Sequence, residues 1–246
     1  VVADEWLARE AEHLGGELRT GGGLLPDLGI LTGAEFDPTL LAPSVADFYQ
    51  DTSGWRLEVW SQWSPFAWPV GWLLSATFAR RLDQLSLPLR PLDAARGMDS
   101  RVRTVTDSAG RQLGAAWLRK LRGTGQTVYS GWYGTQRLPD RESDSVRVVF
   151  PLPHGSVSVF LRPENGEGGA LRLVSPLGQF GDDGAYLVVA DDSGEAGWAR
   201  RVPLVEHFAV YVDEEGVLRT DHALDLWRLP VIRLHYRLDK VDGGHR

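Results

Sequence analysis

The stretch Pro230–Leu238, PVIRLHYRL, decides how this chain reads. Ile232, Leu234, Tyr236 and Leu238 fall on one side, and Val231, Arg233, His235 and Arg237 on the other. A period of two is the geometry of a β-strand with one face buried. The same split recurs upstream. Val157, Val159 and Leu161 oppose Ser156, Ser158, Phe160 and Arg162; Val146, Val148 and Phe150 oppose Ser145, Arg147 and Val149. Leu171 and Leu173 oppose Arg172, and Val102 and Thr104 oppose Arg101 and Arg103. The pattern predicts strands over 101–106, 113–122, 126–137, 145–150, 156–162, 170–175, 185–190, 196–201, 205–212, 217–221 and 230–238. Turn clusters such as Asp107–Gly110, Pro153–Gly155, Asp191–Gly194 and Asp213–Gly216 separate most of them. Links this short suit hairpins and exclude parallel crossovers, so the sheet is expected to be antiparallel. About ten such strands tend to curl, close or split into two sheets.

Upstream of Arg101 the pattern changes. Leu7, Ala11, Leu14 and Leu18 recur at helical spacing, which predicts a helix over Asp4–Leu18. The glycines at 21–23 lack the Lys-Ser/Thr sequel of a phosphate loop. Asp37-Pro38 offers a helix start, and Ser44 with Asp47 makes a capping-box-like pair for a short helix ending near Gly54. Five of the ten tryptophans (Trp55, Trp60, Trp63, Trp68, Trp72) then fall in 18 residues. Trp55–Trp60 alternates as a strand, Pro65 and Pro69 force a loop, and Leu74, Phe78, Leu82 and Leu85 form a helical stripe from Gly71 onward. Three readings of this stretch stand: aromatics filling the space over the sheet, a lid over a ligand cavity, or a membrane-surface contact. The fold class expected is α+β: a large curved antiparallel sheet or partly closed barrel with two or three N-terminal helices packed on it. One domain spans 1–246, with a helical segment (1–54), a Trp-rich strand–loop–helix cap (55–90) and the sheet (101–238).

Composition narrows the function. The chain has no cysteine, which removes disulfides, zinc–thiolate sites, iron–sulfur clusters and cysteine nucleophiles. A net charge of −7 opposes bulk nucleic-acid binding. Arginine outnumbers lysine heavily (only Lys120 and Lys240 occur), and Asn165 is the sole asparagine, a bias that fits a GC-rich bacterial genome. The longest uncharged run, Ser61–Ala79, is interrupted by Pro65, Pro69 and Gly71, so no membrane span is expected, nor is a signal peptide visible. Together these point to a cytoplasmic protein.

The six histidines show no zinc-motif spacing, and no metal or cofactor is expected. GxSxG, dinucleotide, Walker and EF-hand patterns are absent. Glu206 shares a strand face with Phe208, Val210 and Val212, a setting that suits a proton-transferring carboxylate; its neighbour His207 points the other way. Glu206 and His207 are therefore the catalytic candidates, set against a solvated or arginine-paired Glu206. Asp221-His222 reads as a surface feature beside a turn. The arginine-bearing face admits two readings: a solvated surface, or the lining of a concave cavity that favours an anionic ligand. The ligand-binding candidates that follow are Trp60, Trp72, Phe78, Trp117, Arg119, Trp132, Tyr133, Arg147, Tyr211 and His235. The leading expectation is binding of a largely apolar small molecule, with or without an anionic group, between sheet and cap. The alternatives are a cofactor-independent cyclase, isomerase or lyase in the same cavity, and a protein-interaction module docking through Trp63–Trp72.

Overall fold

The protein was analysed as a computed structural model that describes residues 2–64, 98–122, 127–152, 155–190 and 197–241. It is mostly antiparallel β-sheet with few helices. Thirteen strands are present among the described residues: β1 (Glu17–Thr20), β2 (Trp55–Trp63), β3 (Met98–Thr106), β4 (Gln112–Leu121), β5 (Thr127–Gln136), β6 (Ser145–Leu152), β7 (Gly155–Asn165), β8 (Leu171–Ser175), β9 (Gly184–Ala190), β10 (Gly197–Val202), β11 (Leu204–Val212), β12 (Leu218–Leu226) and β13 (Leu229–Lys240). They form one sheet in the order β1-β3-β4-β5-β6-β7-β8-β11-β12-β13-β2.

The sheet forks at β7. Its first half, Ser156–Phe160, pairs with β9, which carries β10; its second half, Arg162–Asn165, pairs with β8. The sheet curls until β2 touches β3 but does not close. Bulges at Val105/Thr106 and Arg119/Lys120 in the β3–β4–β5 region and at Leu224/Asp225 in β12 sharpen the bend.

The aliphatic face turns inward. Val102, Val146, Val148, Val159, Leu161, Leu173, Ile232, Leu234, Tyr236 and Leu238 all enter one buried cluster. The arginine face turns outward, and Arg101, Arg172 and Arg233 are exposed on it. The concave arginine-lined cavity is thus corrected. A curled antiparallel sheet puts its continuous apolar stripe inside, because most guanidinium groups keep their hydration better on the convex side; Arg119, on the inner face, is the exception among the described residues.

Two α-helices are present among the described residues, α1 (Val2–His13) and α2 (Pro43–Gln50). α1 stops short of the expected Leu18: Gly15 adopts φ +64°, and β1 follows and pairs with β3. Four residues, ELRT, are too few to show alternation. α1 lies on the outer face, where Leu7 and Ala11 pack on Val105, Ala116, Trp132 and Val149. The capping box at Ser44 does not form: α2 begins after Ala42, with Pro43 in its first turn and no side-chain cap. Asp37 instead caps a short 3₁₀ turn, accepting from Thr39 N at 2.9 Å. Asp47 accepts from Trp55 Nε1 (3.2 Å) and Lys240 Nζ (2.8 Å), which ties α2 to β2 and β13. The helix expected from Gly71 to Leu85, with Trp72 and Phe78, lies outside the described residues.

Candidate functional site

The inner face encloses a cavity of about 290 Å³, floored by Leu24, Phe48 and Tyr49 and walled by β2–β8 and β11–β13. Its lining is overwhelmingly apolar, as expected where the hydrophobic faces of a curled sheet meet without filling the space between them. A few polar groups break it. Thr220 and His222 alternate along β12, Tyr236 faces Thr220 across β13, and Glu206 comes from β11. Arg119 comes from β4 at the far end of the sheet order. Its guanidinium lies over the rings of Trp117 (4.3 Å) and Tyr236 (5.4 Å), so it spans the seam between the two ends of the sheet. Trp117 is itself held by an Nε1–H bond to Ser100 Oγ at 2.7 Å. Burial pushes the Tyr49 hydroxyl far above its ordinary range, with further help from Tyr133 nearby.

Glu206 and His222 meet in this cavity. His222 Nε2 lies 3.1 Å from Glu206 Oε2, with only 12% and 8% of the two side chains exposed. The His222 ring stacks on Phe208 with centroids 3.8 Å apart and planes 16° from parallel. The Glu206 backbone N–H donates to Ser175 Oγ at 2.8 Å, fixing the strand beneath the carboxylate.

Of the sequence candidates, Glu206, Trp117, Arg119 and Tyr133 line the cavity. His207 does not; it is exposed on the outer face, as its neighbour's inward turn requires. Trp132 is buried under α1 on the opposite side of β5 from Tyr133. Arg147 is also on the outer face, near the Phe160 ring, with burial lowering its pKa. Trp60, Tyr211 and His235 sit outside as well, around Asp221: His235 Nδ1 lies 2.6 Å from Asp221 Oδ1, Tyr211 donates to Asp221 Oδ2 at 3.0 Å, and Trp60 packs on His235. The placement of Trp72 and Phe78 lies outside the described residues. His222 reverses the surface reading given to Asp221-His222: only Asp221 is exposed. A signal existed. A turn at Asp213–Gly216 sets Val212 opposite Leu218, and counting back places His222 opposite Phe208, one step diagonally from Glu206.

In comparisons with known proteins, no family model and no solved structure matches the chain. The chain is similar to a protein of Bacillus subtilis (strain 168) named uncharacterized membrane protein YndJ, with 27% identity over 222 residues. The match covers 89% of this chain and 38% of that protein's length. This likeness overturns the cytoplasmic expectation. Composition and hydropathy report only on the residues they count, and most of the relative's length lies outside the match. Among the described residues no helix is long and apolar enough to cross a membrane.

Proposed function

We propose that the protein binds a largely apolar small molecule inside its curled sheet, with any anionic group of the ligand directed toward Arg119. The apolar cavity of about 290 Å³ carries this reading, because that volume approaches the size of ordinary small-molecule sites. Arg119 is the one arginine buried in the wall among the described residues, which supports an anionic end on the ligand. The relative's name, a membrane protein, supports a lipid phase as the source of such a molecule. The chain spans 38% of that relative, so a membrane role for the whole protein belongs to the same proposal.

The test pairs native mass spectrometry with displacement of an apolar anionic dye, 1-anilinonaphthalene-8-sulfonate. The expected result is a co-purifying apolar adduct, with dye binding abolished by filling the cavity (Val148→Trp with Leu234→Phe) and kept by Val189→Phe, at an exposed position away from the cavity lining. Absence of any adduct, with dye binding equal in all three proteins, would sink the reading.

A further inference from the structure

We propose that Glu206 and His222 form an acid–base centre that removes a proton from carbon on an apolar substrate held in the cavity. The proposal rests on the cavity being a ligand site and adds chemistry to it. Three observations carry it. First, Glu206 is a carboxylate on a strand face otherwise occupied by Leu204, Phe208 and Val210, with 8% of its side chain exposed. Burying a carboxylate there is costly, and an apolar residue would serve packing better. Second, its two oxygens are treated differently. Oε2 is engaged by His222 Nε2 at 3.1 Å, whereas Oε1 has no hydrogen-bond partner among the described residues. Oε1 is not one of the fully buried atoms that lack a partner, so it keeps surface open to a molecule in the cavity. Third, His222 is not free to swing, because its ring lies flat on Phe208 at 3.8 Å. A fixed donor on one oxygen leaves the other aimed at whatever occupies the cavity, which is the arrangement a general base needs.

The substrate class is an apolar molecule whose C–H bond is acidified by a neighbouring electron-withdrawing group. Glu206 Oε1 takes the proton, and the C–H electron pair moves into the adjoining π system. The proton then returns at another carbon, giving an isomer, or a leaving group departs with its electron pair, giving an elimination. No oxidant, reductant or cofactor enters the balance. Glu206 is the catalytic residue and His222 a positioning residue.

The probe is 5-nitrobenzisoxazole. Loss of its C3 proton to Glu206 turns the C–H pair into the third bond of a nitrile. The N–O bond breaks with its pair left on oxygen, and coloured 2-cyano-4-nitrophenolate forms. The full chain is expected to accelerate this reaction over buffer. Glu206→Gln should lower kcat at least tenfold while keeping dye affinity and melting temperature, and Glu206→Asp should retain part of the rate. His222→Phe should lower kcat with KM unchanged, and His222→Gln should recover part of it. If Glu206→Gln does not fold, Glu206→Asp reads the base instead, and a rate equal to wild type counts against the proposal. Turnover no faster than buffer, or unchanged in Glu206→Gln, overturns the acid–base centre while dye binding stands. Loss of dye binding in the wild type would strike the cavity reading itself, so the two failures are distinguishable.

Discussion

Replacing Gly23 by alanine tests how α2 is tied beneath the cavity. A Cβ at this position would lie well inside 3.0 Å of the carbonyl carbon and oxygen of Gln50 and of the Tyr49 carbonyl oxygen. Favourable carbon contacts begin at about 3.5 Å, so a gap of a little over about 1 Å must open. The obstructing atoms are backbone and cannot rotate away. They are held by a knot of hydrogen bonds: Leu25 N to Tyr49 O (3.0 Å), Leu24 N to Thr52 Oγ1 (3.2 Å), Ser53 N to Gly22 O (3.1 Å) and Gln112 Nε2 to Gly23 O (2.9 Å). Losing two of these at about 1 kcal/mol each, with about 1 kcal/mol of overpacking strain, predicts a destabilisation of about 3 kcal/mol. Gly110→Ala is the comparator. Its φ of +81° is strained for alanine, but nothing lies within 4 Å, so about 1–2 kcal/mol is expected from backbone strain alone. Urea unfolding followed by tryptophan fluorescence gives both values. Because Leu24 and Tyr49 line the cavity, dye affinity should fall in Gly23→Ala and not in Gly110→Ala. Gly23→Ala costing no more than Gly110→Ala would refute the steric argument.

Gly114→Ala should cost about 2–3 kcal/mol, because its Cβ would enter the space of the Trp132 indole, which is packed under α1. Trp132→Leu should recover much of that loss in the double variant, and equal urea midpoints for Gly114→Ala and wild type would count against it. Arg201 donates to the carbonyls of Pro176 (2.6 Å), Gln179 (2.6 Å) and Asp183 (2.7 Å) and to Tyr186 Oη (3.0 Å). Arg201→Met should therefore cost about 3 kcal/mol and speed hydrogen exchange across residues 177–183. Asp213 titrates below its usual value because Arg219 donates to it and the Val217 N–H bonds it. A depressed carboxylate contributes stability above its unfolded value and loses it as pH falls through the folded one. Protection of the Val217 amide should therefore decline only in acid, and Asp213→Asn should remove that dependence. Tyr49 keeps its proton while an unfolded tyrosine ionises near 10, so stability should fall as pH rises past that value. Tyr49→Phe should flatten the alkaline limb of the urea midpoint.

Much of the sheet was legible in the chain. Each segment predicted from Arg101 onward coincides with a strand, and Trp55–Trp60 starts β2. The misses have local causes. β1 is too short to show a period, Ser44 lost the helix start to Pro43, and β12 runs five residues past its expected end to Leu226. That last error hid His222, since a residue assigned to a turn is not assigned a face. The choice of Arg147, Tyr211 and His235 failed differently. Their faces were read correctly, but alternation left open which face is the concave one, and the candidates were drawn from both.

Alternation by itself determined which side chains travel together, because successive residues of a strand point to opposite sides whatever the sheet does. It also determined that Glu206 and His207 cannot act as a pair, while the short links pointed to hairpins, which most connections from β3 onward are, β8–β9 and β10–β11 excepted. Which face became the interior was decided only by the curl of the whole sheet: it bends through contacts as distant in sequence as β2 with β13, and curvature belongs to no single strand. The same curl carried Arg119 from β4 to Tyr236 on β13 and left a cavity around Glu206 and His222. Local patterning assigns side chains to a face, and only the summed bend of many strands determines what that face encloses.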